Sequence, residues 1–400
     1  MDSAGKEVAQ GALEKVLENS AVDNFVADGS NANYAAGQTI LWTSKKQLFS
    51  DVAKWDVGQP NLYQLILLVK DADNNVLEAV PYKIGFRRFE IKDKLMLLNG
   101  KRLIINGVNR HEWNPRRGRS ITEEDMRKDI EIMKKNNINA VRTCHYPDQS
   151  LWYQLCDEAG ICLMDETNLE SHGSWQKMGQ CEPSWNVPGS DSRWEACVVD
   201  RATSMLERDK NHPAILWWSC GNESYAGTCI LAMSRYFHEK DPSRRVHYEG
   251  VFWNRQFEEI SDVESRMYAS PAEVRAYLEN DPGKPYLLCE YMHDMGNSIG
   301  GTESYIKLLD EFPMYQEDLS GTISIRPFII RIKKDRKSWA MAAILWIALQ
   351  IMRSAETESY LQTVPKNLLC RKSATGTVPH RSVLPWIRRK KPVMRRLSSV

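Results

Sequence analysis

The chain of 400 residues has no apolar run long enough to cross a membrane. Its most apolar stretch, "WAMAAILWIALQIM", is about 14 residues long, against the ~20 that a spanning helix needs. Its N-terminus, "MDSAGKEVAQ", has no charged segment leading into an apolar one, so nothing there reads as a secretion signal. Net charge is almost absent as well: 53 Lys and Arg stand against 52 Asp and Glu, which argues against a nucleic-acid or other polyanionic partner for the chain as a whole. The nine cysteines show no regular spacing, and Cys162, Cys220 and Cys289 sit inside apolar runs. That pattern suits buried thiols in a reducing, cytoplasmic compartment better than a disulfide framework. No membrane and no nucleic-acid partner is expected.

What is present changes character along the chain. Residues 1–92 read as β structure, with apolar strands in "PNLYQLILLVKDADNNVLEAVPYKIGFRRFEI" separated by "DADNN", whose residues tolerate left-handed backbone. From Leu97 short apolar runs alternate with helical stretches: "RLIINGVN", "NAVRTCHYP", "ICLMDETN", "AILWWSCGNES", "RVHYEG", "SRMYAS" and "YLLCEY". Between the first two, Thr122 precedes acidic residues as an N-cap, and Met126, Ile130 and Met133 share one helical face. Repeated strand–helix units predict a parallel α/β fold, either doubly wound or a (β/α)8 barrel. Polar residues recur where the runs end: Asn109, His111, His145, Asp165, Glu166, Asn222, Glu223, Tyr268 and Glu290. Such ends converge on one face of a barrel, and no glycine-rich phosphate loop follows the first strand to favour a doubly wound sheet.

Two of these residues, Glu223 and Glu290, are carboxylates that end apolar strands. A facing pair is the minimal apparatus for glycoside hydrolysis, although a single strand-end glutamate is more often an ion-pair partner. The words themselves are more specific. "GVNRHEWNP", "NAVRTCHYP", "LWYQLCDEAG", "DETNLESHG", "RDKNHPAILWWSCGNES", "DPSRRVHYEG" and "LLCEYMHDMGNS" resemble, in order, the successive motifs of the β-galactosidases of glycoside hydrolase family 2, over about residues 60–316. The resemblance implies a partial immunoglobulin-like sandwich (1–92), a (β/α)8 barrel with seven readable strands (93–316) and hydrolysis of terminal β-galactosides with retention. It implies Glu223 as acid/base and Glu290 as nucleophile. It implies a Mg²⁺ site at Glu170, His172 and Glu223, leaves room for sodium, and makes His111, His145, Asn222, Tyr268 and His293 contacts to the sugar or its transition state. Tryptophans 113, 175, 217 and 218 would suit stacking on sugar faces, with one of the last two in the core. Full-length relatives are expected to be homo-oligomers.

The chain also departs from that family. The family's N-terminal jelly roll and its later β domains have no counterpart in this sequence. After "FPMYQ" the family continues close to "GGFIWDYIDQAI", whereas this chain reads "EDLSGTISIRPF". Deleting one G from a back-translation of the family text gives "EDLSGTISIRP", and "AAILWIALQIMRSAETESYLQTVP" back-translates in the shifted frame to family-like text. Residues 317–400, with 17 basic against 5 acidic side chains, are therefore expected to be a frameshifted, unstructured tail. The barrel would lack its eighth strand and the tryptophan of "IWD", and the catalytic residues would sit in a weakly active chain. β-Glucuronidase, β-mannosidase and a catalytically dead sugar-binding product are the competing readings; a nucleic-acid role for the basic tail is the weakest. Resequencing the encoding DNA is expected to reveal a one-base deletion at codon 317. An intact frame, with a tail peptide in the mass spectrum, would make the tail an evolved segment.

Overall fold

The computed structural model describes residues 1–17, 40–44, 49–114, 116–175, 186–280, 282–292, 301–323, 327–330 and 338–341. The parallel α/β expectation holds, and its form is the barrel. Its strands are, in chain order, Ile105–Arg110, Ala140–Thr143, Cys162–Glu166, Ile215–Ser219, Arg245–His247, Glu264–Met267, Tyr286–Tyr291 and Tyr315–Ile323. All seven ladders between neighbours are parallel, and the eighth strand lies between the first and the seventh. The fifth and sixth strands share no ladder. That seam is bridged by the Asp262 N–H donating to the Val246 carbonyl at 2.9 Å and by the His247 Nε2 to Ser265 Oγ contact at 2.8 Å.

The eighth strand corrects the expectation that its slot is empty and that everything after 316 is unstructured. Tyr315–Ile323 pairs with both neighbours: Ile105 opposes Glu317, and Leu288 opposes Asp318. The physical reason is that the slot's requirement is met by backbone. Two flanking strands present unpaired N–H and C=O groups that any extended segment can satisfy. Tyr315 and Gln316, both buried, lead the chain into place. The Gln316 amide accepts from the Met96 N–H at 2.7 Å and donates to the carbonyls of Met96 at 2.9 Å and Leu103 at 2.8 Å.

Local chemistry sets the surrounding elements. The helix Glu123–Lys135 starts at a capping box in which the Thr122 hydroxyl and the Asp125 side chain reciprocate; Met126 and Met133 are buried beneath it. Before the barrel, Tyr63–Lys70 and Val76–Ile84 form an antiparallel hairpin. Its turn is organised by Asp71, whose Oδ1 accepts the N–H groups of Asp73 and Asn75, with Asn74 left-handed at φ 64°. Leu13–Leu17 pairs with Ile40–Ser44. These are separate antiparallel pairs, and the segment between the latter two, which an immunoglobulin-like layering would involve, lies outside the described residues.

The expected boundary at residue 92 falls inside a hairpin. Phe89–Lys92, Leu95–Leu98 and Lys101–Arg102 form one meander, turning at Asp93 and Lys94, both with positive φ. Phe89, Met96 and Leu98 are buried in the main core, and Phe89 meets Trp217 edge-on at 4.8 Å. Two residues upstream of the barrel are also embedded in it. Fully buried Trp55 donates its indole N–H to the Asp157 carbonyl at 2.8 Å, and Arg87 donates to the carbonyls of Pro213 at 2.9 Å and Ile215 at 2.6 Å. Gln316→Leu, which would strip the Met96 N–H and the Leu103 carbonyl of their side-chain partner while the Met96 carbonyl keeps the Leu103 N–H, is expected to cost about 2 to 4 kcal/mol in urea unfolding; a loss below about 0.5 kcal/mol would mean that Gln316 does not anchor the eighth strand.

Candidate active site

Side chains from six strand ends meet at one barrel mouth around Arg142. The second strand, Ala140–Thr143, is buried throughout, and the Arg142 guanidinium is fully buried. It donates to Glu166 Oε2 at 2.6 Å, Glu290 Oε1 at 2.9 Å, Asn222 Oδ1 at 2.8 Å and Asn109 Oδ1 at 3.0 Å. A buried guanidinium requires this degree of satisfaction, because desolvation otherwise outweighs the attraction of its partners. Burial disfavours its charge, but Glu166, Glu290 and their neighbours reverse the balance and keep it protonated.

Glu166 ends the third strand. Its carboxylate accepts from Arg142 and from Ser219 Oγ at 2.7 Å and meets His145 Nδ1 at 2.8 Å, while its main-chain N–H donates to Thr143 Oγ1 at 2.9 Å. Burial would raise its carboxyl, yet Arg142 and His145 bring it down to about 2. Glu290, at the end of the seventh strand, behaves alike: burial opposes its charge, while Arg142, His145 and the Tyr268 hydroxyl, which donates to Oε2, hold the carboxyl below its usual range. His145 Nε2 stands 3.7 Å from Glu290 Oε1.

Glu223 is set the opposite way. It follows the fourth strand in a left-handed backbone, φ 39°, in a loop reached through Gly221, where a Cβ would lie 2.5 Å from the Leu169 carbonyl. Burial, the negative charge of Glu290 and that of Glu170 raise its carboxyl, and nearby His172 only partly offsets them. Of the two carboxyls, then, one is biased toward ionisation and the other toward holding a proton. Asn222 spends its Oδ1 on Arg142, which leaves its N–H₂ to donate into the mouth.

Glu170, His172 and Glu223 place one ligand atom each within 4.8 Å of one another, with His172 Nε2 3.3 Å from Glu223 Oε2. Two carboxylates and an imidazole, all three residues at least partly solvent-exposed, are an oxygen-rich set that suits a hard divalent cation completing its shell with water. A second group, His247, Glu249 and Cys289, is equally close, but its histidine is already committed to neighbouring side chains. The Ser219 proton goes to Glu166, so Ser219 Oγ accepts from His247 Nδ1 at 2.9 Å, and Nε2 faces the Ser265 hydroxyl at 2.8 Å. Both ring nitrogens are thus engaged, and burial holds the imidazole neutral, down to about 3.

Other expected residues fall elsewhere. His111 sits beside His145, rings 5.5 Å apart, with Nδ1 3.2 Å from Tyr146 Oη. Asp165 alternates with Glu166 and points the other way, accepting from Tyr153 Oη at 2.7 Å. Trp217 and Trp218 are both core residues, the latter stacked on Phe237 at 5.6 Å; neither reaches a sugar, because consecutive residues of a fully buried strand face the barrel interior and the helix layer. Trp113 is exposed. His293 and the Trp175 side chain lie outside the described residues. Arg142 and Glu249 were not singled out from sequence; an arginine inside the apolar run "NAVRTC" was the available signal for the first.

A (β/α)8 barrel whose mouth pairs an ionisation-prone with a proton-holding carboxyl has the architecture of a glycoside-hydrolase site. The model described as "Glycosyl hydrolases family 2, TIM barrel domain" matches residues 89–326, more than half of the chain, and "Glycosyl hydrolases family 2" matches 14–87. The chain belongs to glycosyl hydrolases family 2. It is 58% identical over 307 residues to a β-galactosidase of Clostridium acetobutylicum, covering 76% of this chain and 34% of that protein. It is 60% identical over 276 residues to the β-galactosidase large subunit of Leuconostoc lactis, covering 68% and 44%. The chain therefore spans less than half the length of these relatives. A β-glucuronidase from Ruminococcus gnavus, solved with D-glucuronic acid, matches with TM-score 0.58 at 20% identity, over 78% of this chain and 59% of that one, and shows the shared fold.

Arg142→Met would leave Glu166 and Glu290 as buried carboxylates without the cation they share, and a loss of about 3 to 5 kcal/mol is expected. The linkage has a definite sign. Glu166 falls from 4.5 to about 2 on folding, so its stabilisation is complete above pH 4.5 and disappears as pH falls toward 2. Arg142→Met should therefore move the acid-unfolding midpoint upward, which circular dichroism against pH would measure; an unchanged midpoint would remove Arg142 from its central place.

Proposed function

We propose that this chain carries the catalytic centre of a retaining β-galactosidase that releases terminal β-D-galactose from lactose-type substrates. The observation that carries the reading is the opposite bias of Glu223 and Glu290 at one barrel mouth. Glu290, ionised, attacks the anomeric carbon as the bond to the glycosidic oxygen breaks, and the Glu223 proton passes to that leaving oxygen. A galactosyl ester of Glu290 results. Glu223, now a carboxylate, takes a proton from water, the water oxygen attacks the anomeric carbon from the opposite face, and Glu290 departs; two inversions give retention.

The remaining roles follow the geometry. Tyr268 and Arg142 keep Glu290 charged and oriented; Asn222 offers its amide to the 2-hydroxyl, where a hydrogen bond strengthens as positive charge develops at the anomeric carbon. His145 and His111 offer ring nitrogens beside the pocket. Glu170, His172 and Glu223 would hold Mg²⁺, which when bound supplies positive charge beside the acid/base carboxyl. The buried thiols suit a reducing, cytoplasmic setting, and no helix among the described residues is long and apolar enough to cross a membrane. Since the Leuconostoc lactis relative is named a large subunit, we also propose that this chain works together with further polypeptide.

Glu290→Gln is expected to lower turnover of a nitrophenyl β-galactoside by on the order of a thousandfold or more, read against the unmodified chain; residual activity above about a tenth would remove Glu290 as nucleophile. Chelation should reduce turnover. It should also shift the alkaline limb of the pH profile upward, since removing a cation beside Glu223 favours its protonated form. A profile indifferent to chelator would exclude the cation from the site.

A further inference from the structure

The loop that presents Glu223 is gripped from the fifth strand. Two residues past that strand, buried Glu249 opens the 3-10 turn Glu249–Trp253, and its Oε1 accepts the main-chain N–H of Glu223 at 2.7 Å. Adjacent Tyr248 holds the next residue at both ends: its hydroxyl accepts the Ser224 N–H at 3.1 Å and donates to the Ser224 carbonyl. Gly250 is what lets this pair approach, because a Cβ there would lie 2.4 Å from the Tyr248 ring and 2.8 Å from the Ser224 carbonyl. On the other flank, the Asn222 N–H donates to the Leu169 carbonyl at 2.8 Å. The backbone at residues 222–224 is thus fixed through main-chain hydrogen bonds at three consecutive residues.

A left-handed φ at a glutamate is costly, and surrounding contacts must impose it. The Glu223 N–H donates to the carboxyl of a residue that is itself buried, where water has little access to replace it, so the Glu249 carboxyl is its partner by necessity. The second oxygen, Oε2, is buried without a hydrogen-bond partner in the structure. An unsatisfied buried oxygen is a cost that the fold alone does not require: an asparagine or serine hydroxyl nearer the loop could accept the same N–H.

We infer that Glu249 is a positioning residue for the acid/base carboxyl, aiming the Glu223 side chain at the leaving oxygen by fixing its main chain. The inference rests on the reading of Glu223 as the acid/base. Glu249 touches no substrate atom; its reach, more than its charge, is what matters. The substitutions Glu249→Gln and Glu249→Asp separate the two: glutamine keeps the reach and one acceptor oxygen, whereas aspartate keeps the carboxyl and falls one methylene short of the Glu223 N–H.

Acid catalysis matters most for poor leaving groups, so the test compares lactose with a dinitrophenyl β-galactoside. Glu249→Asp is expected to lower kcat on lactose by about tenfold or more with little change on the dinitrophenyl substrate, and Glu249→Gln to recover most of that loss. In chain labelled with ¹⁵N-glutamate, the Glu223 amide, identified by its loss in Glu223→Gln, should exchange with solvent about tenfold faster in Glu249→Asp and unchanged in Glu249→Gln; this readout needs no turnover. Equal losses on both substrates, a glutamine variant as damaged as the aspartate one, or an amide indifferent to both would each overturn the inference. If Glu223→Gln itself fails to discriminate the two substrates, the acid/base reading falls first, whatever the amide shows.

Discussion

One buried cation organises this molecule. Arg142 is enclosed by the second strand's neighbours and has no route to water, so its charge must be met inside the barrel. Each group that meets it comes from a different strand: Asn109 from the first, Glu166 from the third, Asn222 from the loop after the fourth, Glu290 from the seventh. The barrel's roundness and its chemistry are thereby the same constraint. Any distortion that moved one strand end would strand a charge in a medium where that is worth several kcal/mol. The arrangement also assigns protonation. A guanidinium shared between Glu166 and Glu290 stabilises carboxylates there, while Glu223, out of its reach and close to Glu290, is left with burial and repulsion.

Much of this was legible in the sequence because strand ends announce themselves. The alternation of apolar runs with helical patterns, broken by Asn109, His145, Glu166, Glu223, Tyr268 and Glu290, points to a barrel with one functional face. The quoted motifs carry the family. What sequence could not resolve is which way neighbouring residues face. Asp165 and Glu166 look equivalent on paper, yet the pleat sends one to Tyr153 in the helix layer and the other to Arg142. Trp217 and Trp218 look like sugar platforms, and the same alternation inside a fully buried strand makes both of them core. Glu249 gave no warning because its importance lies in a hydrogen bond to backbone, which leaves no trace in residue pattern.

The eighth strand separates two things that are usually inherited together. Its place in the sheet depends on backbone pairing and on the lead-in residues Tyr315 and Gln316, and those suffice for "EDLSGTI" to lie between the first and seventh strands. The side chains a barrel strand delivers to the mouth are another matter. This strand has no tryptophan where the family text places one, so the closure of the ring says little about the completeness of the pocket.

The two anchors upstream of the barrel bear on how such a protein can be assembled in evolution. Trp55 and Arg87 lie outside the barrel's own strands, yet one caps the helix Ser150–Ala159 through Asp157 and the other holds the carbonyls where the fourth strand begins, the strand whose far end presents Glu223. A gene junction drawn at the first barrel residue would leave those carbonyls facing a stranger's side chains. Recombination that transplanted the barrel onto a new partner would have to carry residues 55–88 with it, so the heritable module is larger than the visible domain.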